Sequence, residues 1–104
     1  MPPQVSTTFE TFMKQAPGYF GPWMEAVQKQ AQASALDDKT RELAYLAVLS
    51  AVRMESGVPF HVKMARKAGA TRDEVLSAVL VGLPAVGLQC VGAIGPALAA
   101  YDEA

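Results

Sequence analysis

Residues 36–74 read LDDKTRELAYLAVLSAVRMESGVPFHVKMARKAGATRDE, and this stretch decides the fold. Asp37 or Asp38 caps a third helix over residues 38–53. Its middle, residues 43–49, is apolar on all sides, the mark of a central buried helix. Val58-Pro59 forces a break, because the residue before proline avoids the helical region. Proline suits the first position of the next helix, where its missing N–H is not needed. This fourth helix covers residues 59–68, and Gly69 supplies the left-handed stop. Val58, His61, Val62, Ala65 and Ala68 share one face, while Lys63, Arg66 and Lys67 point to water. Thr71 with Glu74 then forms a capping box that opens a fifth helix.

Working outward, Thr7 and Glu10 have the form of another capping box, and Phe9, Phe12 and Met13 stripe the helix behind it. Pro17-Gly18 ends that helix. A second helix over residues 18–33 carries Tyr19, Trp23 and Val27 on one face. Phe12, Tyr19, Phe20 and Trp23 are read as core or interface packing rather than as an aromatic ligand box. Beyond the central stretch, the fifth helix runs through Val75, Val79 and Leu83. A last helix covers residues 84–101, bent at Gly95-Pro96. No segment alternates like a strand. The expected fold is all-α with about six helices, in one domain over residues 1–104 whose residues 1–19 form an N-terminal arm or helix.

The chain has 104 residues, enough for one domain with a real core. It is 51% hydrophobic, only 18% charged, and carries a net charge of −1. So much apolar surface on a small body implies burial against other copies of itself. Lys63, Arg66 and Lys67 make only a short basic cluster, so no nucleic-acid partner is expected. Cys90 is the single cysteine, which excludes an intrachain disulfide and a Cys-rich metal site. Met1-Pro2-Pro3-Gln4 lacks the basic and apolar regions of a signal peptide, which makes a cytoplasmic location the default. The uncharged run over residues 75–101 is long enough to span a bilayer. Gly82, Pro84, Gly87, Gly92, Gly95 and Pro96 divide it, and Gln89 lies near its middle. It is therefore read as core or subunit interface, with no membrane partner.

His61 is the only histidine. At the third position of its helix it lies near free backbone N–H groups, a setting that suits a hydrogen-bond acceptor ring. A carboxylate partner would instead favour the charged ring, and Glu42 and Glu55 are the candidates. Glu42 raises a geometric difficulty. In a simple antiparallel hairpin the two residues would differ by roughly 10 Å along the axis. Glu42 therefore either meets His61 through a less simple arrangement or pairs with Arg41, Lys39 or Arg53. With one histidine and no closely spaced ligand set, no metal is expected.

Three pieces of the chain now resemble a known family. Leu36-Asp37-Asp38-Lys39-Thr40-Arg41-Glu42-Leu43, then His61, then Ala68-Gly69-Ala70-Thr71-Arg72-Asp73-Glu74-Val75 resemble the carboxymuconolactone decarboxylase family. That family includes the alkylhydroperoxidase D-like proteins, and the likeness covers residues 20–101. Its redox members place a glutamate, eleven residues, Cys-x-x-Cys, three residues, then histidine. Glu42 and His61 occupy the outer positions, and the two cysteine positions are Met54 and Gly57. Methionine and glycine cannot attack peroxide or close a disulfide. Cys90 lies in an apolar run, where the thiolate is disfavoured. A dithiol peroxidase is not expected, and peroxidase activity would be a family-level label only.

The resemblance implies an alkylhydroperoxidase D-like helical domain assembled into a homo-oligomer, a trimer or hexamer, with a small-molecule ligand and no cofactor. The decarboxylase branch keeps the histidine without the cysteine pair and opens and decarboxylates a lactone acid. His61 and Glu42 would then be catalytic, with Met54, Glu55 and Gly57 lining the site. This chain departs from that branch in its last helix, where Val91-Gly92-Ala93-Ile94-Gly95 stands in place of polar residues. The expected function is a non-redox acid–base enzyme of lyase type on a small organic acid or lactone. The alternative is a non-catalytic binding or structural oligomer of the same fold.

Overall fold

A computed structural model describes residues 6–103, which are helical and contain no strand. Met1-Pro2-Pro3-Gln4, read as no signal peptide, lies outside the described residues. The first helix, α1 (Thr7–Gln15), is capped by Ser6, whose Oγ accepts the Phe9 N–H at 3.1 Å. The cap is thus one residue earlier than the Thr7 expected, and Thr7 is the first helical residue. Ala16 turns the corner, and Pro17 opens α2 (Pro17–Ala33) at a position where no N–H is needed. The two helices hold each other through aromatic rings. Phe9 meets Phe20 edge-on at 5.3 Å and Phe12 meets Trp23 at 5.7 Å. Tyr19 is left out of this cluster and is exposed. Neither helix has a buried residue.

Asp37 caps α3 (Asp38–Ala51), its Oδ1 accepting the Thr40 N–H at 2.8 Å. The helix ends two residues earlier than expected. Arg53 takes a left-handed conformation, φ +63°, and Glu55–Gly57 form one 3-10 turn. The next helix, α4 (Val58–Lys67), starts at Val58 itself. Proline disfavours a helical predecessor without forbidding it, and Pro59 falls in the first turn, where a backbone N–H would have no intrahelical partner and its lack costs nothing. The chain break therefore sits at Arg53 and Met54, and His61 is the fourth helical residue. Gly69 stops α4 with φ +102°.

The expected capping box is present at the start of α5 (Arg72–Leu80): Thr71 Oγ1 accepts the Glu74 N–H, and Glu74 Oε1 accepts the Thr71 N–H. The long last helix is not. It is divided into a single turn, α6 (Leu83–Val86), a 3-10 segment Gly87–Ala93, and α7 (Ile94–Glu103). The break lies at Gly87, with φ +68° and ψ −148°, a region open only to glycine. Pro96 causes no bend, because it sits in the first turn of α7.

The core joins α3, α4, α5 and α7. Leu46, Leu49, Val58, Val62, Val75, Val79, Ala97 and Ala100 are buried together. Valine and alanine dominate, so the helices approach closely, and each fully buried valine stabilises by about 1.5–2 kcal/mol. The expectation of a helix buried on all sides fails for α3. Leu46, Leu49 and Ser50 are buried, but Tyr45 and Val48 are 44% and 61% exposed. The stretch Arg72–Glu103 is long and apolar enough, by length and composition, to cross a membrane.

Candidate functional site

The connection between α3 and α4 brings the two ends of the motif together. Met54 N–H bonds back to the Leu49 carbonyl, and Gly57 comes to rest beside Leu49, where a Cβ added to the glycine would lie 3.4 Å from Leu49 Cδ1. The chain has thus turned back along α3 before α4 begins. From Leu49 to Glu42 the rise is roughly 10 Å, and from Gly57 to His61 roughly 6 Å. The side chains span the remaining few ångströms. His61 Nδ1 lies 2.7 Å from Glu42 Oε1 within one chain.

An ionised carboxylate can only accept, so in this contact Nδ1–H donates to Glu42, and Nε2 is the ring nitrogen that the bond leaves over. The ring is held on two further sides. Tyr45, one turn beyond Glu42, stacks on it with centroids 4.1 Å apart and planes 20° apart. Phe60 meets it edge-on at 5.2 Å. The two polar side chains are largely withdrawn from solvent, at 21% exposure for His61 and 14% for Glu42. A hydrogen bond, a stack and an edge contact leave the imidazole little freedom, which is what acid–base work asks of its donor.

This pair opens into a cleft of about 550 Å³. One wall comes from α3, α4 and the turn between them, through Arg41, Glu42, Tyr45, Gly57, Phe60 and His61. The other comes from α1 and α2, chiefly Phe9, Trp23, Met24 and Val27. Of the other partners considered for Glu42, Arg41 pairs with Asp38 at 2.9 Å and Lys39 with Glu74 at 2.8 Å. Gly57 lines the cleft. Met54 does not; it is 57% exposed. Glu55 turns instead to a smaller cleft with Arg53, Leu88, Gln89 and Gly92. Its carboxylate packs so closely on Gly92 that any side chain there would displace it. Cys90 is fully buried, its Sγ 3.6 Å from the Gly87 carbonyl oxygen.

Sequence reasoning missed the aromatic lining. Tyr45 follows Glu42 by three residues and Phe60 precedes His61, so both signals were local and readable. In the sequence Trp23 reads as packing and Phe9 as part of the first helix's apolar stripe, and no spacing ties either to His61.

A sequence model of the Carboxymuconolactone decarboxylase family matches residues 17–97. No curated protein and no solved structure matches the chain.

Proposed function

The chain belongs to the carboxymuconolactone decarboxylase family, and from that premise we propose that it is a non-redox acid–base enzyme of lyase type acting on a small organic acid or lactone. The observation that carries this reading is the His61–Glu42 hydrogen bond at the wall of a cleft large enough for a small ligand. In the proposed step, the bond between a substrate carbon and its carboxylate breaks and carbon dioxide leaves. The electron pair passes into the substrate's own carbonyl. Protonated His61 delivers the Nε2 proton to the carbanion carbon, and water returns a proton to the ring. Glu42 orients the imidazole and balances its positive charge during the transfer. Met54 and Gly57 in the thiol positions leave no dithiol for peroxide chemistry.

The test is turnover of a carboxylated γ-lactone, followed by carbon dioxide release. His61→Gln should lower the rate by about 10²–10⁴-fold, the usual contribution of a positioned acid or base. Unchanged turnover in a folded His61→Gln variant overturns the proposal.

We also propose a cytoplasmic homo-oligomer, a trimer or hexamer. Val48 on α3 and Val52 just after it, with Val81 and Leu88 after α5, are large apolar side chains left in water by a single chain. A second copy suits this face better than lipid does. The backbone is broken at Gly87, and lipid leaves such breaks unsatisfied unless protein covers them.

A further inference from the structure

The family match begins at residue 17, so α1 and its cap Ser6 lie outside it. Both nevertheless contribute to the cleft, through Ser6 and Phe9. Phe9 also braces the indole of Trp23, with centroids 6.4 Å apart and planes 62° apart. Resting on the reading of this cleft as a small-molecule site, we propose that α1 sets its ligand class. Phe9 and Trp23 form an aromatic wall that selects a flat, aromatic-bodied acid whose carboxylate pairs with Arg41.

Three features carry this. Trp23 lines the cleft and is 45% exposed overall, so a ligand ring has indole surface to cover. Aromatic walls reward flat π-faced ligands beyond the area they bury, through offset or edge-on ring contacts. Arg41 is the one permanently cationic lining residue among the described residues. Its Nη2 donates to Asp38, which is 80% exposed, and such solvated pairs are weakly held. The guanidinium fork matches a carboxylate bidentately. Arg41, Glu42 and His61 line the same cleft, so an anion held by Arg41 shares that cleft with the His61–Glu42 pair. The cleft volume falls in the range of small-ligand sites and admits a one- or two-ring acid.

The chain has one tryptophan and one histidine, and both line the cleft. Indole fluorescence and imidazole NMR therefore report on it directly in the full chain. Titration with benzoate, cyclohexanecarboxylate and benzyl alcohol separates ring from charge. Benzoate should perturb both signals and bind at least about fivefold tighter than either other probe. Phe9→Leu, which keeps apolar volume and helix, should bring benzoate to the level of cyclohexanecarboxylate. Arg41→Gln should weaken benzoate about tenfold and leave benzyl alcohol unchanged. Equal binding of benzoate and cyclohexanecarboxylate by the unaltered chain, or undiminished benzoate binding in folded Phe9→Leu, overturns this proposal and leaves the small-molecule reading standing. Equal binding of benzoate and benzyl alcohol overturns the Arg41 anchor. If none of the three perturbs either signal, the small-molecule reading falls and this proposal falls with it.

Discussion

His61 and Glu42 stand nineteen residues apart in the chain and 2.7 Å apart in the fold, Nδ1 to Oε1. Both side chains are mostly withdrawn from water, so removing either leaves the other's polar group poorly satisfied. Glu42→Ala should lower the unfolding free energy by about 1–3 kcal/mol. In a double-mutant cycle with His61→Ala, denaturant melts should show coupling of about 0.5–3 kcal/mol. Strict additivity of the two variants would mean that the pair contributes nothing jointly.

Two backbone positions should respond with opposite signs. Gly69 has φ +102°, so Gly69→Ala should destabilise by about 1 kcal/mol or more despite open space around it. Arg53 holds φ +63° without being glycine, so Arg53→Gly should raise stability by up to about 1 kcal/mol. Thermal or urea melts of the two variants decide this, and shifts in the same direction would contradict the backbone assignment.

Acid should destabilise the fold through three surface carboxylates. The Arg72 guanidinium holds Asp102 below the ordinary carboxylate range, and the Lys39 ammonium, then the Thr71 N–H, do the same for Glu74. The Thr40 N–H lowers Asp37. A group whose folded value is depressed contributes stability above its unfolded value, near 4, and loses it as pH falls through the folded one. Stability should therefore be flat near neutrality and decline below about pH 5. Asp102→Asn and Glu74→Gln should flatten that decline, and about 1 M salt should shrink it, since all three sites are exposed. A decline as steep in the double variant as in the parent would assign it elsewhere.

Assembly should depend on the apolar face that a single chain leaves open. Leu88 is 81% exposed and Val81 66%. Leu88→Lys should lower the mass measured by light scattering toward that of one chain while preserving helicity. A parent chain that is already monomeric at micromolar concentration would sink the oligomer proposal.

How much of this was legible depended on how local the cause was. The Asp37 region, the Thr71–Glu74 box and the Gly69 stop are each fixed by a few neighbouring residues, and their signals were plain. The outer positions of the motif were legible as spacing. The meeting of Glu42 with His61 was not, because a straight hairpin places them too far apart. What joins them is the return of the 52–57 connection along α3, set by Arg53's left-handed turn and the seat of Gly57 beside Leu49. Nothing local marks Arg53 for that conformation. The break at Gly87 was hidden for a related reason. Six glycines and prolines punctuate the run, and only packing selects which one departs from the helix. The aromatic wall was least legible, since Phe9 and Trp23 reach the cleft through tertiary placement of α1 and α2.

The central claim is that Glu42 accepts a hydrogen bond from the Nδ1–H of His61 and leaves Nε2 for chemistry. Nitrogen-15 NMR of the single histidine measures this most directly, at a pH where the ring is neutral. The neutral ring should be the Nδ1–H tautomer, with an unprotonated Nε2, and should shift toward the Nε2–H tautomer in Glu42→Ala. A ring that carries its proton on Nε2 in the unaltered chain, or that ignores the loss of Glu42, would contradict it.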